Sequence, residues 1–277
     1  MGGVAFLAVD LGAESGRGIL GRLEGGRLVL REVHRFPNGP VRILGSLFWD
    51  PLRLHEEIVA SIGRAAAEEG PLRAVGVDSW GVDFALLDED GQLLGLPRHY
   101  RDPRTEGMME RAFARVPREE IFARTGIQFM PINTLYQLLA LKERSPGVLA
   151  SARCLLMMGE LFLYFLTGRP VGEFTNATTS QLFDPRARGW AWDLLERLDL
   201  PPAIFPEVVE PGTVVGRLLP ALAEATGAGR VGVVAPAVHD TASAVAAVPA
   251  PPGRGGRWAY ISSGTWSLVG LEVPAPV

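Results

Sequence analysis

The run Val231-Gly-Val-Val-Ala-Pro-Ala-Val-His-Asp-Thr-Ala-Ser-Ala-Val-Ala-Ala247 constrains the fold more than any other stretch of the chain. Its first residues are small, apolar and nearly continuous, without the polar alternation of a strand that faces water on one side. Such a run reads as a strand covered on both faces. His239, Asp240 and Thr241 interrupt it, and Ala, Ser and Val then follow at helical density. A His and a carboxylate therefore stand at a strand-to-helix corner, where the flanking elements can hold a cleft-facing side chain still. A second reading stays open: Asp240 as a helix N-cap, accepting from the backbone N–H of Ala242 or Ser243. On local sequence alone the cap is the stronger of the two.

Composition narrows the function classes. The 277 residues suffice for one large core or two smaller ones. With 47% apolar and 21% charged residues, wholesale disorder is excluded. The net charge of −4 comes from interspersed signs with no Lys/Arg block, so no nucleic-acid partner is expected. Cys154 is the single cysteine, which precludes an intramolecular disulfide and suits a reducing, cytoplasmic setting. The opening Met-Gly-Gly-Val-Ala-Phe-Leu-Ala-Val-Asp10 lacks the basic start of a signal peptide. Residues 155–166 form the longest apolar candidate, interrupted by Gly159 and Glu160, so no membrane span is expected.

In chain order, residues 4–9 read as a strand, 10–17 as a turn and 18–23 as a second strand. Small residues in that turn let backbone N–H groups approach an anion, and Ser15 and Arg17 add donors. On its own, a plain tight turn accounts for the segment equally well. Neither G-x-G-x-x-G nor G-x-x-x-x-G-K-[ST] occurs, which leaves Rossmann and P-loop readings without support. Asp50-Pro51 opens a helix with Leu54, Ile58, Ile62 and Ala65 or Ala66 on one face. Residues 72–78 and 82–87 read as strands about the corner Ser79-Trp80-Gly81. Asp78 and Asp83 flank that corner; two acids with an indole suit a sugar, and a plain hairpin with one packed Trp accounts for the segment equally well.

Residues 106–115, 119–125 and 133–144 read as helices, the last capped by Asn133, with Gln128 and Phe129 in a polar-aromatic loop as candidate ligand contacts. Residues 155–166 read as a buried helix, and 190–198 as a short one. The hydroxyl-rich run Glu173-Phe-Thr-Asn-Ala-Thr-Thr-Ser-Gln181 reads as a capped loop. Pro249-Ala-Pro-Pro-Gly-Arg-Gly-Gly256 is a linker signal. Beyond it, Trp258-Ala-Tyr-Ile-Ser-Ser-Gly-Thr-Trp-Ser-Leu-Val269 repeats the opening strand, glycine turn and strand, which suggests a duplicated domain.

Eight stretches in this order resemble the FGGY carbohydrate kinases. They are Ala8-Val-Asp-Leu-Gly-Ala-Glu-Ser-Gly-Arg17, Gly76-Val-Asp-Ser-Trp-Gly-Val-Asp83, Tyr100-Arg-Asp-Pro-Arg-Thr105 and Thr125-Gly-Ile-Gln-Phe129. Asn133-Thr-Leu-Tyr-Gln137, Thr175-Asn-Ala-Thr-Thr179, His239-Asp-Thr-Ala-Ser-Ala244 and Ser262-Ser-Gly-Thr-Trp-Ser267 complete the set. The resemblance implies an α/β, ribonuclease-H-like (actin-like ATPase) domain with a mixed sheet and flanking helices. It divides the chain into a sugar-binding domain over 1–248, a Pro/Gly linker over 249–256, and the first hairpin of a second such domain over 257–277.

The resemblance also assigns roles. Asp240 is the general base for the C1 hydroxyl of a ketose, and Gly81, His239, Thr241 and Gln128 contact the sugar. Ala13, Glu14, Ser15, Gly16 and Arg17 form the first phosphate turn, Thr265 belongs to the second, and Asp10 takes the metal. The implied reaction transfers phosphate from ATP to L-rhamnulose, giving the 1-phosphate, with Mg²⁺ bridging the phosphates. Another ketose, or a catalytically silent sugar-binding half, is the alternative. Met158-Gly-Glu160 departs from the family's usual Pro-Asp pair. The family's chain continues for about another domain past the Thr265 turn, so the adenine pocket is expected to come from a complementing domain or from self-association.

Overall fold

The computed structural model describes residues 4–250, 258–264 and 267–273. Strands β1 (Val4–Leu11), β2 (Ser15–Glu24) and β3 (Arg27–Pro37) form an antiparallel meander. Helix α1 (Pro51–Glu69) follows, and Asp50 caps it by accepting from Arg53 N at 3.1 Å. Its buried stripe of Leu54, Ile58, Ile62 and Ala65 is the one the spacing predicts. Strand β4 (Ala74–Ser79) then runs parallel to β1.

The chain next leaves the sheet. Strand β5 (Phe84–Leu87) pairs antiparallel with β6 (Cys154–Met157), and α2 (Thr134–Arg144) is the longest helix between them. Helices α3 (Met158–Thr167) and α4 (Phe174–Thr179) lead back to strands β7 (Thr213–Arg217) and β8 (Gly232–Ala235). Helix α5 (Asp240–Ala246) and the hairpin of β9 (Ala259–Ser263) and β10 (Ser267–Leu271) complete the described chain.

The main sheet has the order β7-β8-β4-β1-β2-β3, with β8, β4 and β1 mutually parallel. Helix α1 packs on one face, where Leu7, Val9, Val75, Val77 and Val233 are buried. A second core, around Ile121, Leu135, Leu155, Phe183 and Leu195, fills the helical insertion. The β5–β6 ribbon is the wall between the two. Ala85, Leu87 and Leu156 face the first core, whereas Phe84, Leu86, Leu155 and Met157 face the second. This is the mixed sheet with flanking helices of the ribonuclease-H-like, actin-like fold.

Several local expectations change. Residues 155–157 are strand rather than helix, because a ribbon buried on both faces shows no alternation to distinguish it from a buried helix. The turn expected over 10–17 shrinks to Gly12, Ala13 and Glu14, so Ser15, Gly16 and Arg17 belong to β2. Residues 72–87 form no hairpin, since β4 pairs with β1 and β8 while β5 pairs with β6. The helix expected over 106–115 shortens to Met108–Phe113, with Gly107 at φ +76° in its N-cap position, and a separate 3-10 turn over Pro103–Thr105 precedes it. The hydroxyl-rich run is no loop: it forms α4, capped by Glu173. Most of the 249–256 linker, and Thr265, lie outside the described residues. No helix of the described residues is long and apolar enough to cross a membrane.

Gly16 shows why β2 tolerates no side chain at that point. A Cβ there would stand 2.2 Å from the Phe36 ring, which lies against the glycine. Gly16→Ala is expected to lower stability by about 1–3 kcal/mol through overpacking, measured by urea unfolding. Adding Phe36→Leu should recover part of the loss.

Candidate active site at the carboxyl edge of the sheet

The three parallel strands end side by side. The register of β1 and β4 sets Asp10 opposite Asp78, and antiparallel pairing with β2 sets Arg17 opposite Asp10 on the other side. Just past β8, His239 bridges Ser79, and Ser79 N donates to the Val238 carbonyl at 2.8 Å. Asp240 follows as the first residue of α5. His239 takes the cap position, so the N-cap reading of Asp240 fails: its carboxylate turns to Thr241, accepting from N at 2.6 Å. Ligands of open parallel sheets bind in this position, outside the carboxyl ends of the strands.

The electrostatics follow from crowding acids at one edge. Burial, then the charges of Asp10 and Asp240, push the Asp78 carboxyl well above the usual range. Its Oδ1 is buried without a hydrogen-bond partner. Asp10 is partly exposed, with Arg17 Nε 3.0 Å from its Oδ2. Burial raises Asp240 despite the neighbouring His239, whose imidazole burial holds below its ordinary value. At neutral pH the site therefore offers a neutral imidazole beside an acidic group, with Arg17 facing the acids.

Beside this edge, the corner Trp80-Gly81-Val82-Asp83 is held in a costly shape. Val82 has φ +66°, which a β-branched residue keeps only when its surroundings enforce it, at about 1–3 kcal/mol. Val82 N donates to Thr179 Oγ1 at 3.1 Å, and Thr134 Oγ1 donates to the Val82 carbonyl at 2.7 Å. A Cβ on Gly81 would stand 2.9 Å from Thr179, so glycine is needed there for packing. Asp83 is fully buried. Its Oδ2 accepts from Trp49 Nε1 at 2.6 Å, Trp80 Nε1 at 3.2 Å and Tyr100 N at 3.1 Å, and its Oδ1 from Gln137 Nε2 at 2.8 Å. Burial lifts Asp83 to about 6, against the pull of these donors. Asp83 is thus a buried organiser of the two indoles, not the exposed sugar ligand that its place in the sequence suggests.

Two further carboxylates lie under the His239-Asp240 corner, and sequence reasoning assigned neither to the site. Glu160 Oε1 accepts from Glu173 N at 3.0 Å, and Glu160 Oε2 from Asn176 Nδ2 at 2.7 Å. Burial first, and then Glu173, push Glu160 up to about 8. Glu173 Oε2 accepts from Val238 N at 3.0 Å. The signal for both was the departure at Met158-Gly-Glu160 and the hydroxyl-rich run after Glu173.

The remaining expected residues spread out. Ala13 packs against the main core, and Glu14 is exposed at the tip of the turn, whose Gly12 and Glu14 carbonyls accept from Asn38. Gln128 is exposed in a shallow groove with Arg118, Glu119, Phe122, Gly126 and Phe129. Thr241 stays with Asp240.

Glu160 gives a pH signature. Its folded pKa lies above the ordinary glutamate value of 4.5, so the stability it contributes is complete below about 4.5 and is lost as pH rises through about 8. From about pH 7.5 to 8.5, His55, His99 and His239, all lowered by burial, are largely neutral in both states and add little slope. The melting temperature is therefore expected to fall across that window, and to fall less in Glu160→Gln, by thermal unfolding at several pH values.

Comparison with known proteins agrees with this geometry. The sequence profile described as "FGGY family of carbohydrate kinases, N-terminal domain" matches residues 5–247. A rhamnulokinase of Oceanobacillus iheyensis is 44% identical over 273 residues, covering 98% of this chain and 57% of the relative. One from Bacteroides thetaiotaomicron is 43% identical over 272 residues, covering 98% and 56%. This chain thus spans little more than half the length of these relatives. The crystal structure of a carbohydrate kinase from Novosphingobium aromaticivorans superposes with a TM-score of 0.81 at 29% identity, covering all of this chain and 58% of the other. Xylulose kinase from Rhodospirillum rubrum, at 22% identity, shares the fold with a TM-score of 0.79 over 90% of this chain and 52% of that one. The chain belongs to the FGGY family of carbohydrate kinases.

Proposed function

We propose that this chain is the sugar-binding, base-bearing half of an ATP-dependent ketose kinase acting on L-rhamnulose at O1, within L-rhamnose breakdown. The observation that carries the reading is the meeting of Asp240 with Asp10, Asp78 and Arg17 at one sheet edge. The 44% identity to a rhamnulokinase supports the choice of sugar. Asp240 takes the proton from the C1 hydroxyl, and its raised affinity for protons suits a base that must accept one. His239 and Thr241 hold neighbouring hydroxyls, and Gly81 contacts the sugar at the Trp80 corner. Gln128 closes on the sugar from the insertion. Ala13, Glu14, Ser15, Gly16 and Arg17 receive the nucleotide's phosphates, joined by Thr265.

The acids at this edge fit a magnesium ion. The donors are hard carboxylate oxygens, and the Oδ1 of Asp78 has no hydrogen-bond partner. No group of three or more acidic, His or Cys side chains among the described residues is arranged to hold a metal by itself. Mg²⁺ is commonly held by one or two carboxylates together with phosphates and water. Asp10 would hold it, and the ion would supply charge neutralisation on the phosphates.

We place the sugar-binding domain at 1–248, the linker at 249–256 and the start of a nucleotide-binding domain at 257–277. Completion by a second polypeptide or a second copy has support in α5, which buries none of its residues, and in Ile261 and Val269, which are 72% and 75% exposed. A cytoplasmic setting agrees with the lone Cys154. The test is ADP release by the purified chain over a panel of ketoses. Asp240→Asn is expected to cut turnover of L-rhamnulose about 10²–10⁴-fold with sugar affinity largely kept. Near-normal turnover in that variant would remove Asp240 from its role. Ketose binding without ADP release from the unaltered chain favours the silent half.

A further inference from the structure

Helix α4 touches both halves of the candidate site, although the roles read from the sequence give it none. Thr175 and Thr179 lie one helical turn apart and so share a face. Thr175 Oγ1 accepts from His239 N at 3.2 Å, and Thr179 Oγ1 accepts from Val82 N at 3.1 Å. The first bond fastens the corner that carries Asp240, and the second fastens the strained corner that carries Trp80.

The cap residue reinforces the first contact. Glu173 is fully buried, and its Oε2 accepts from Thr175 Oγ1 at 2.6 Å, Asn176 N at 3.2 Å and Val238 N at 3.0 Å. Ser79 N holds the Val238 carbonyl from the opposite side. The backbone entering α5 is therefore fixed at Val238 N, Val238 O and His239 N. Among the described residues, the Asp240 carboxylate hydrogen-bonds to Thr241, with His239 Nε2 3.5 Å away, and both neighbours belong to the same corner, so its direction is inherited from that backbone.

We propose that Thr175 and Thr179, with Glu173, are positioning residues: α4 is a clamp that sets the distance between the base-bearing corner and the sugar-facing corner. This rests on the kinase reading above for what the two corners do, and on the hydrogen bonds alone for how they are held.

The test pairs isosteric and conservative variants of the 277-residue chain. Amide hydrogen exchange and L-rhamnulose affinity, from tryptophan fluorescence, are measured for Thr175→Val, Thr175→Ser, Thr179→Val and Thr179→Ser. Losing one such bond is expected to weaken ketose binding about three- to tenfold in each valine variant, with recovery in the serine variants. Faster exchange should appear at His239 in Thr175→Val and at Val82 in Thr179→Val, each sparing the other corner. A merely structural helix would loosen both corners together, and that result overturns the clamp. So would wild-type exchange or wild-type affinity in the valine variants. If the unaltered chain binds no ketose, the kinase reading falls, while the site-specific exchange still decides whether α4 holds the corners.

Discussion

Parallel pairing of β1, β4 and β8 is the constraint on which the site depends. Because the pairs are in register, strands of different sequence origin end at one level, and Asp10 meets Asp78 while Ser79 meets His239. No loop has to bring these groups together. The same pairing crowds like charges, and the consequence is visible at Asp78, whose proton is held tightly by burial and by its neighbours. A polar edge of this kind is poised for a ligand that carries hydroxyls, or for phosphate accompanied by a cation.

Behind that edge, buried acids act as fasteners. Asp83 gathers two indole N–H groups and a backbone N–H, and Glu173 gathers the Thr175 hydroxyl and the backbone N–H groups of Thr175, Asn176 and Val238. Each carboxylate spends its acceptor capacity on neighbouring donors, which is how a buried acid avoids the penalty of isolation. The candidate groups are less tied down: Asp240 is partly exposed, and among the described residues its carboxylate bonds to Thr241 and lies 3.5 Å from His239 Nε2. The division between saturated acids that hold shape and open acids that face the cleft separates support from chemistry here.

Much of this was legible in the chain. The helix after Asp50-Pro51 announces its cap and its stripe, and the corner at His239-Asp240 is visible where an apolar strand stops. What escaped has definite physical causes. Leu155-Leu156-Met157 is buried on both faces, so it carries no period and passes for helix. Arg17 belongs to β2 rather than to a turn, because Gly16, which reads as a turn residue, is present to admit the Phe36 ring. Asp83 resembles a sugar ligand because proximity in sequence cannot reveal that Trp49 and Gln137, distant in the chain, have already claimed it. Glu160 and Glu173 could be seen as oddities but not assigned, for the same reason: their partners are brought by the fold.

The central claim is that the ends of β4 and β8 form one ketose site. Amide chemical-shift mapping of the isotope-labelled chain during titration with L-rhamnulose tests it most directly. The account predicts saturable shifts at Asp78, Trp80 and Gly81 together with His239, Asp240 and Thr241, sharing one dissociation constant. Shifts confined to the groove around Gln128 and Phe129, or to one corner without the other, would contradict it.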